Sequence, residues 1–234
     1  MFQVVYGSGW VEGDIISDNV NIAGLALDQH VFGVALLESQ QFSNDGTIDG
    51  VMGLAQSTIS RQGVLTPVET LAKLGLIGEA ITSYKLGRVS DGDNDGEITF
   101  GGLDESKFDP NTLVTFSNVS PYGYWEGDVS VSVDGKDLGL QGRTAILDTG
   151  TSFLGVPSAD AIAIHAQIPG SKNTDEGFTI PCTSTSVVSL TFGGRAFDIN
   201  PVDLLFYPVD TANLQGECIS TIIAMQSGGP EQWL

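Results

Sequence analysis

Basic residues are scarce in this chain. Nine Lys plus Arg stand against 29 Asp plus Glu in 234 residues, a formal net charge of −20 at pH 7. That imbalance removes the basic footprint that nucleic-acid binding needs, so nucleic acid is not an expected partner. It also makes the chain repel itself at neutral pH, a repulsion that fades as carboxylates take up protons. Adaptation to acid and plain solubility both fit that balance. Cysteine is nearly absent, with only Cys182 and Cys218 present. Two thiols cannot close a zinc site alone, and His30 and His165 lie far from them with no ligand spacing. A single disulfide in a secreted protein is the favoured reading, against a pair of buried thiols. No apolar run is long enough to span a membrane. No secretory leader is visible, because Met1-Phe2-Gln3-Val4-Val5 reads as strand rather than as a charged leader. The chain is expected to begin inside a structure.

Glycine, by contrast, is abundant, at 30 residues, and hydrophobic content is 41%. This is a globular, turn-rich composition and points to an all-β fold. Short β-like runs punctuated by Gly, Asn and Asp dominate: Phe2 to Val5, Val20 to Ile22, His30 to Leu36, Glu97 to Phe100, Val129 to Val133, Val187 to Phe192 and Ala196 to Ile199. Two segments break the pattern. Val68 to Gly75 follows Pro67, has near-helical apolar spacing and stops at glycine; Ala159 to Gln167 is alanine-rich and follows Pro157-Ser158, which offers an N-cap. Both predict short helices. The polar stretch from Ser90 to Gly96 predicts a hairpin tip. Its acidic run, Asp91 to Ile98, copies the first half of a calcium loop, but the twelfth position is Gly102, where a bidentate carboxylate is required. An acidic turn is the reading, with only weak, fortuitous calcium binding left open. Asn118-Val119-Ser120 fits a glycosylation acceptor, though such triplets are common and Pro121 follows directly.

The most specific stretch is Ala145-Ile146-Leu147-Asp148-Thr149-Gly150-Thr151-Ser152-Phe153-Leu154. An apolar run drives into a carboxylate, a glycine two residues on permits a sharp turn, and hydroxyls follow. An Asp at the end of a buried strand costs free energy unless it is hydrogen-bonded. The neighbouring hydroxyls and turn amides are placed to supply those bonds and to hold a carboxylate ready for acid/base work.

That decapeptide resembles the second catalytic motif of the pepsin-like aspartic endopeptidases, and other segments fall in the order the family has them. Val4-Val5-Tyr6-Gly7-Ser8-Gly9 resembles the flap, a hairpin closing over bound peptide. Ile48-Asp49-Gly50-Val51-Met52-Gly53-Leu54-Ala55 resembles the segment closing the first lobe's catalytic loop. Phe100-Gly101-Gly102-Leu103-Asp104 resembles a recurrent hairpin exit, and Gly123-Tyr124-Trp125-Glu126 the aromatic strand entering the second lobe. Cys182 and Cys218 fall close to the family's second-lobe disulfide. The acidic, cysteine-poor chain looks most like a secreted fungal member.

The resemblance implies an all-β, bilobal acid protease fold with few short helices. Residues 1–118 would form a partial N-terminal lobe with flap and interlobe connection. Residues 119–234 would form a C-terminal lobe lacking its last strands. It implies Asp148 as one of two catalytic aspartates, with Gly150 and Thr151 orienting it beside Thr149. Ile146, Val51 and Tyr124 would line the cleft, and Tyr6, Gly7 and Ser8 would grip a peptide or protein substrate. Water is the nucleophile in such enzymes, so neither a metal nor an organic cofactor is implied. A monomeric full-length protein, secreted or vacuolar and not membrane-bound, is implied as well.

The chain also departs from the pattern. A second Asp-Thr-Gly or Asp-Ser-Gly is missing from the sequence. Glu231-Gln232-Trp233-Leu234 looks like the approach to a closing strand that the chain does not complete. The expectation is therefore a protease fragment that is inactive alone. The alternatives are a non-catalytic peptide-binding or inhibitory homologue, a homodimer in which two Asp148 residues meet, and a plain β-rich binding module.

Overall fold

The computed structural model describes residues 1–43, 49–88, 91–226 and 228–234. Ile48, expected at the head of a family-like segment, and Ser90, expected in a hairpin tip, lie outside them. The chain divides into two compact units. Unit 1 comprises residues 1–111 with 121–124, and unit 2 comprises 112–120 with 125–234.

Unit 1 is built on β1 (Phe2–Tyr6), β2 (Gly9–Ile22) and β3 (Leu25–Glu38), an antiparallel meander in that order. Tyr6 pairs with Gly9, so Gly7 and Ser8 alone make the first turn. Ile22 pairs with Leu25 across Ala23 and Gly24, both at positive φ, as a tight hairpin matched to strand twist demands. Two helices follow, α1 (Gln40–Ser43) and α2 (Pro67–Lys73), and then the hairpin β4 (Thr82–Lys85) and β5 (Glu97–Phe100). The acidic run of residues 91–96 connects those two strands, and Lys85 pairs with Asp95 within the connection. Leu27 and Leu71 are fully buried and pack with Ile22, joining the sheet to α2.

Helix α2 begins where the sequence expects and has a better start than a lone proline. Thr66 is the N-cap and accepts from the Glu69 amide at 3.2 Å, while the Glu69 carboxylate accepts from the Thr66 amide at 2.9 Å. This reciprocal capping box satisfies two donors that the first turn leaves open.

Unit 2 holds β6 (Glu126–Asp128), β7 (Ser130–Val133), β8 (Lys136–Asp137), β9 (Thr144–Ile146), β10 (Leu154–Val156), α3 (Ser158–His165), β11 (Lys172–Thr174) and β12 (Gly177–Pro181). It continues through β13 (Val188–Phe192), β14 (Arg195–Ile199), β15 (Leu205–Pro208), β16 (Glu217–Ser220), β17 (Ile222–Ala224) and β18 (Gln232–Trp233). The sheets run β14-β13-β7-β8, β11-β12-β16-β15 and β18-β9-β6, with β10 parallel to β17. Its core is the larger of the two: Val131, Val133, Val156, Ile164, Ile180 and Trp233 are among its buried members. The expected disulfide is present, Cys182 to Cys218 across a separation of 36 residues. The Cys218 strand is central in its sheet, between β12 and β15.

The fold is therefore mostly β with short helices, as the sequence reads. One expectation needs correction. Ser158 is the first residue of α3 rather than its cap; Pro157 is the N-cap, with no side-chain bond, and its carbonyl accepts from the Asp160 and Ala161 amides. The last residues of the chain form a short strand beside the Asp148 loop. Gln232 and Trp233 pair in parallel with Thr144 and Ala145, because the fully buried indole of Trp233 anchors them there. Among the described residues no helix is long and apolar enough to cross a membrane.

Candidate active site

The Asp148 loop has two stems. β9 enters it, held on one side by antiparallel β6 and on the other by parallel β18. The Leu147 amide then donates to the Trp125 carbonyl at 2.8 Å, extending the pairing by one residue. β10 leaves the loop, and the Gly155 amide and carbonyl bond the Leu234 carbonyl and amide at 2.7 and 2.9 Å. The terminal segment thus runs between the two stems and bonds to both.

Within the loop the carboxylate of Asp148 is gripped on both oxygens. Oδ1 accepts from the Gly150 amide at 2.9 Å, and Oδ2 accepts from the Thr151 hydroxyl at 2.6 Å. The Thr151 amide closes the turn on the Asp148 carbonyl at 3.3 Å. A side chain at position 150 would place its Cβ 3.2 Å from Asp148 Oδ1, so the turn is tight enough to favour glycine. The sequence reading is corrected in one respect: Asp148 is exposed, not buried at a strand end. Of the apolar run before it only Ala145 is buried; Ile146 is half-buried and Leu147 exposed. The local bonds, rather than burial, orient the carboxylate. Thr149 is exposed beside it.

In unit 1, Tyr6, Gly7 and Ser8 form the tip of the β1–β2 hairpin. The Tyr6 ring meets Phe42 of α1 edge-on, with centroids 5.4 Å apart, and burial pushes its hydroxyl pKa up. Val51 is exposed in an irregular stretch. Tyr124 is held by its neighbours: the Gly123 carbonyl accepts from the Gln56 amide, and the Tyr122 carbonyl accepts from the Thr58 hydroxyl, both at 3.0 Å.

Sequence reasoning missed the polar side chains around the β9 stem. Glu126 is buried, and its Oε1 accepts from the Thr144 hydroxyl at 2.6 Å and from the Gln232 side-chain Nε2 at 2.9 Å, one partner on each of two neighbouring strands. Asp160, fully buried on α3, bonds Arg143 and Trp233. His165 is buried against Phe178, the rings stacked at 4.0 Å. The only sequence signal for these was a charge or a histidine inside an otherwise apolar segment, as in Ser158-Ala159-Asp160-Ala161-Ile162. Among the described residues no cluster of His, Cys, Asp or Glu is arranged to hold a metal.

Comparison with known proteins gives the same family as the motif. The family model described as eukaryotic aspartyl protease matches residues 1–234. A protein of Arthroderma otae named probable aspartic-type endopeptidase CTSD is 40% identical, the match covering 100% of this chain and 60% of that protein. The aspartic-type endopeptidase ctsD of Aspergillus fumigatus is 34% identical, with 100% and 48% covered. Vacuolar protease A of Neurospora crassa is 30% identical, with 98% and 56% covered. The chain spans about half the length of the curated relatives it matches. It belongs to the eukaryotic aspartyl protease family.

Proposed function

We propose that this chain is the Asp148-bearing part of an aspartic-type endopeptidase that hydrolyses peptide bonds in acid. The observation that carries the reading is the Asp148 carboxylate held by the Gly150 amide and the Thr151 hydroxyl. In the mechanism this geometry supports, Asp148 faces a second carboxylate and the pair shares one proton. Two such groups close together cannot both ionise easily, so their titrations split. The ionised partner takes a proton from water as it attacks the scissile carbonyl, while the protonated partner polarises that carbonyl. The Gly150 and Thr151 donors keep one oxygen pair fixed, so the carboxylate need not reorganise during the step.

The second carboxylate has no counterpart motif in these 234 residues. It is assigned to the rest of the protein, in keeping with relatives that are longer. Tyr6, Gly7 and Ser8 are assigned to the substrate backbone, and Ile146, Val51 and Tyr124 to its side chains. Peptides and proteins with bulky apolar residues are the substrate class. A secreted or vacuolar location is consistent with the disulfide, which needs an oxidising compartment to form, and with the vacuolar protease among the relatives.

The experiment is hydrolysis of a denatured protein by the complete protein at about pH 3–4, where a carboxylate dyad can share one proton. Cleavage blocked by a pepstatin-type transition-state mimic and indifferent to serine- and cysteine-directed reagents is expected. Binding of the mimic without cleavage would instead favour the peptide-binding homologue.

A further inference from the structure

We propose that Arg143, Asp160 and Trp233 form a latch that positions the Asp148 loop, a role that rests on the reading of Asp148 as catalytic. One carboxylate ties three elements together. Asp160 Oδ2 accepts from Arg143 Nε at 2.8 Å and from Trp233 Nε1 at 2.9 Å, and its Oδ1 accepts from Arg143 Nη2 at 2.9 Å. Arg143 immediately precedes β9, the stem that enters the loop. Asp160 lies in the first turn of α3, which directly follows β10, the stem that leaves it. Trp233 is on β18, which runs between the stems.

The backbone ladder between β9 and β18 is short. β9 has three residues and β18 two, and their pairing rests on Gln232 with Thr144 and Trp233 with Ala145. A one-residue slip of so short a strand would turn the buried Trp233 to the opposite face, so side chains set the register here. The bidentate fork of Arg143 and the single indole N–H accept one geometry only, and so set the register that the short strands do not.

Net stability is a weak explanation for the same group. The Asp160 side chain is 1% exposed and that of Arg143 19%, so both lose most of their hydration. A buried ion pair often gains little over an apolar pair of equal volume, because desolvation offsets attraction. What it supplies is a single arrangement. Arg143 is further directed by Nη1, which donates to the Gln141 carbonyl at 2.8 Å and lies 3.8 Å from Glu231 Oε1. Burial pushes the Asp160 carboxyl up, but the bonds from Arg143 and Trp233 hold it below the ordinary carboxylate value.

The test uses the complete protein with two changes. Arg143→Lys keeps the charge and loses the fork; Arg143→Leu with Asp160→Leu replaces the pair by apolar volume. Amide exchange at Gly150 and Thr151, read by NMR, reports the loop whether or not the protein is active. The latch predicts exchange faster by about tenfold or more in Arg143→Lys. It predicts kcat lower by about ten- to a hundredfold with KM nearly unchanged, the loss expected from a carboxylate misplaced by a fraction of an ångström. The apolar pair leaves the Trp233 indole N–H without its acceptor, so its thermal midpoint is expected to fall, and it is expected to restore neither kcat nor exchange. Unchanged exchange in Arg143→Lys overturns the latch, and so does an apolar pair with wild-type exchange. A wild-type protein that hydrolyses nothing counts against the protease reading instead, and the exchange rates still decide the latch.

Discussion

At the scale of single residues, the Asp148 carboxylate is an oriented group rather than a buried one. Thr151→Val removes the hydroxyl on Oδ2 and leaves a side chain of similar size. It is expected to lower kcat/KM of the complete protein by about ten- to a hundredfold, while Thr151→Ser keeps most of it, as steady-state hydrolysis will show. His165 gives a second prediction, on stability. Its Nδ1 lies 2.7 Å from the Ala161 carbonyl and must donate there, so Nε2, 2.9 Å from Ser220 Oγ, is the acceptor in the neutral ring. Burial lowers its pKa, against a smaller upward push from the Ala161 bond. The unfolded chain therefore binds a proton at His165 before the folded chain does, and stability falls as pH drops below about 6.5. Asp160 acts in a lower window: its stabilisation is present above about pH 4 and is lost as pH falls through its depressed folded value. Urea midpoints measured between pH 7 and 4 should fall more steeply for the wild type than for His165→Leu; parallel slopes would contradict the assignment. The Asp148 loop was legible in the sequence because its partners are two and three residues away. The burial of Asp160, Glu126 and His165 was not, because their partners are remote in sequence, as Trp233 is from Asp160.

At the scale of elements, legibility followed locality in the same way. The β4–β5 hairpin, the β1–β2 turn and the core of α2 could be read from alternation, glycine placement and a proline start. The Thr66–Glu69 capping box was there to be read as well, in the spacing Thr-x-x-Glu. Glu69 is pushed up by burial but held below its ordinary value by the amides and hydroxyls of Thr66 and Ser57. Thr66→Ala should destabilise α2 by about 1 kcal/mol, the usual worth of such a cap, and faster amide exchange in its first turn would register the loss. The start of α3 was misread because a serine after a proline looks like a cap, whereas here the Pro157 carbonyl takes the first helical amides. β18 was missed as a strand since two residues carry no period; only the buried indole of Trp233 and its partners on β9 and α3 define it.

For the whole molecule, composition and the ordered motifs were enough to name the fold class and family, and the family match over residues 1–234 agrees. The disulfide was legible from the two cysteines and the family resemblance, whereas its placement on a central strand of unit 2 required the fold. Its loop spans 36 residues, for which chain-entropy arguments give about 3.5–4 kcal/mol of stabilisation. Reduction, or replacement of Cys182 and Cys218 by alanine, should lower the urea midpoint of unit 2 accordingly. The central claim is that Asp148 is one of two catalytic carboxylates. The most direct measurement is peptide hydrolysis at about pH 3–4 by the complete protein beside its Asp148→Asn variant, with folding checked by circular dichroism. A folded variant with at least a thousandfold less activity is expected, on the order of the loss when an essential catalytic group is removed. A folded variant that cleaves as the wild type does would contradict it.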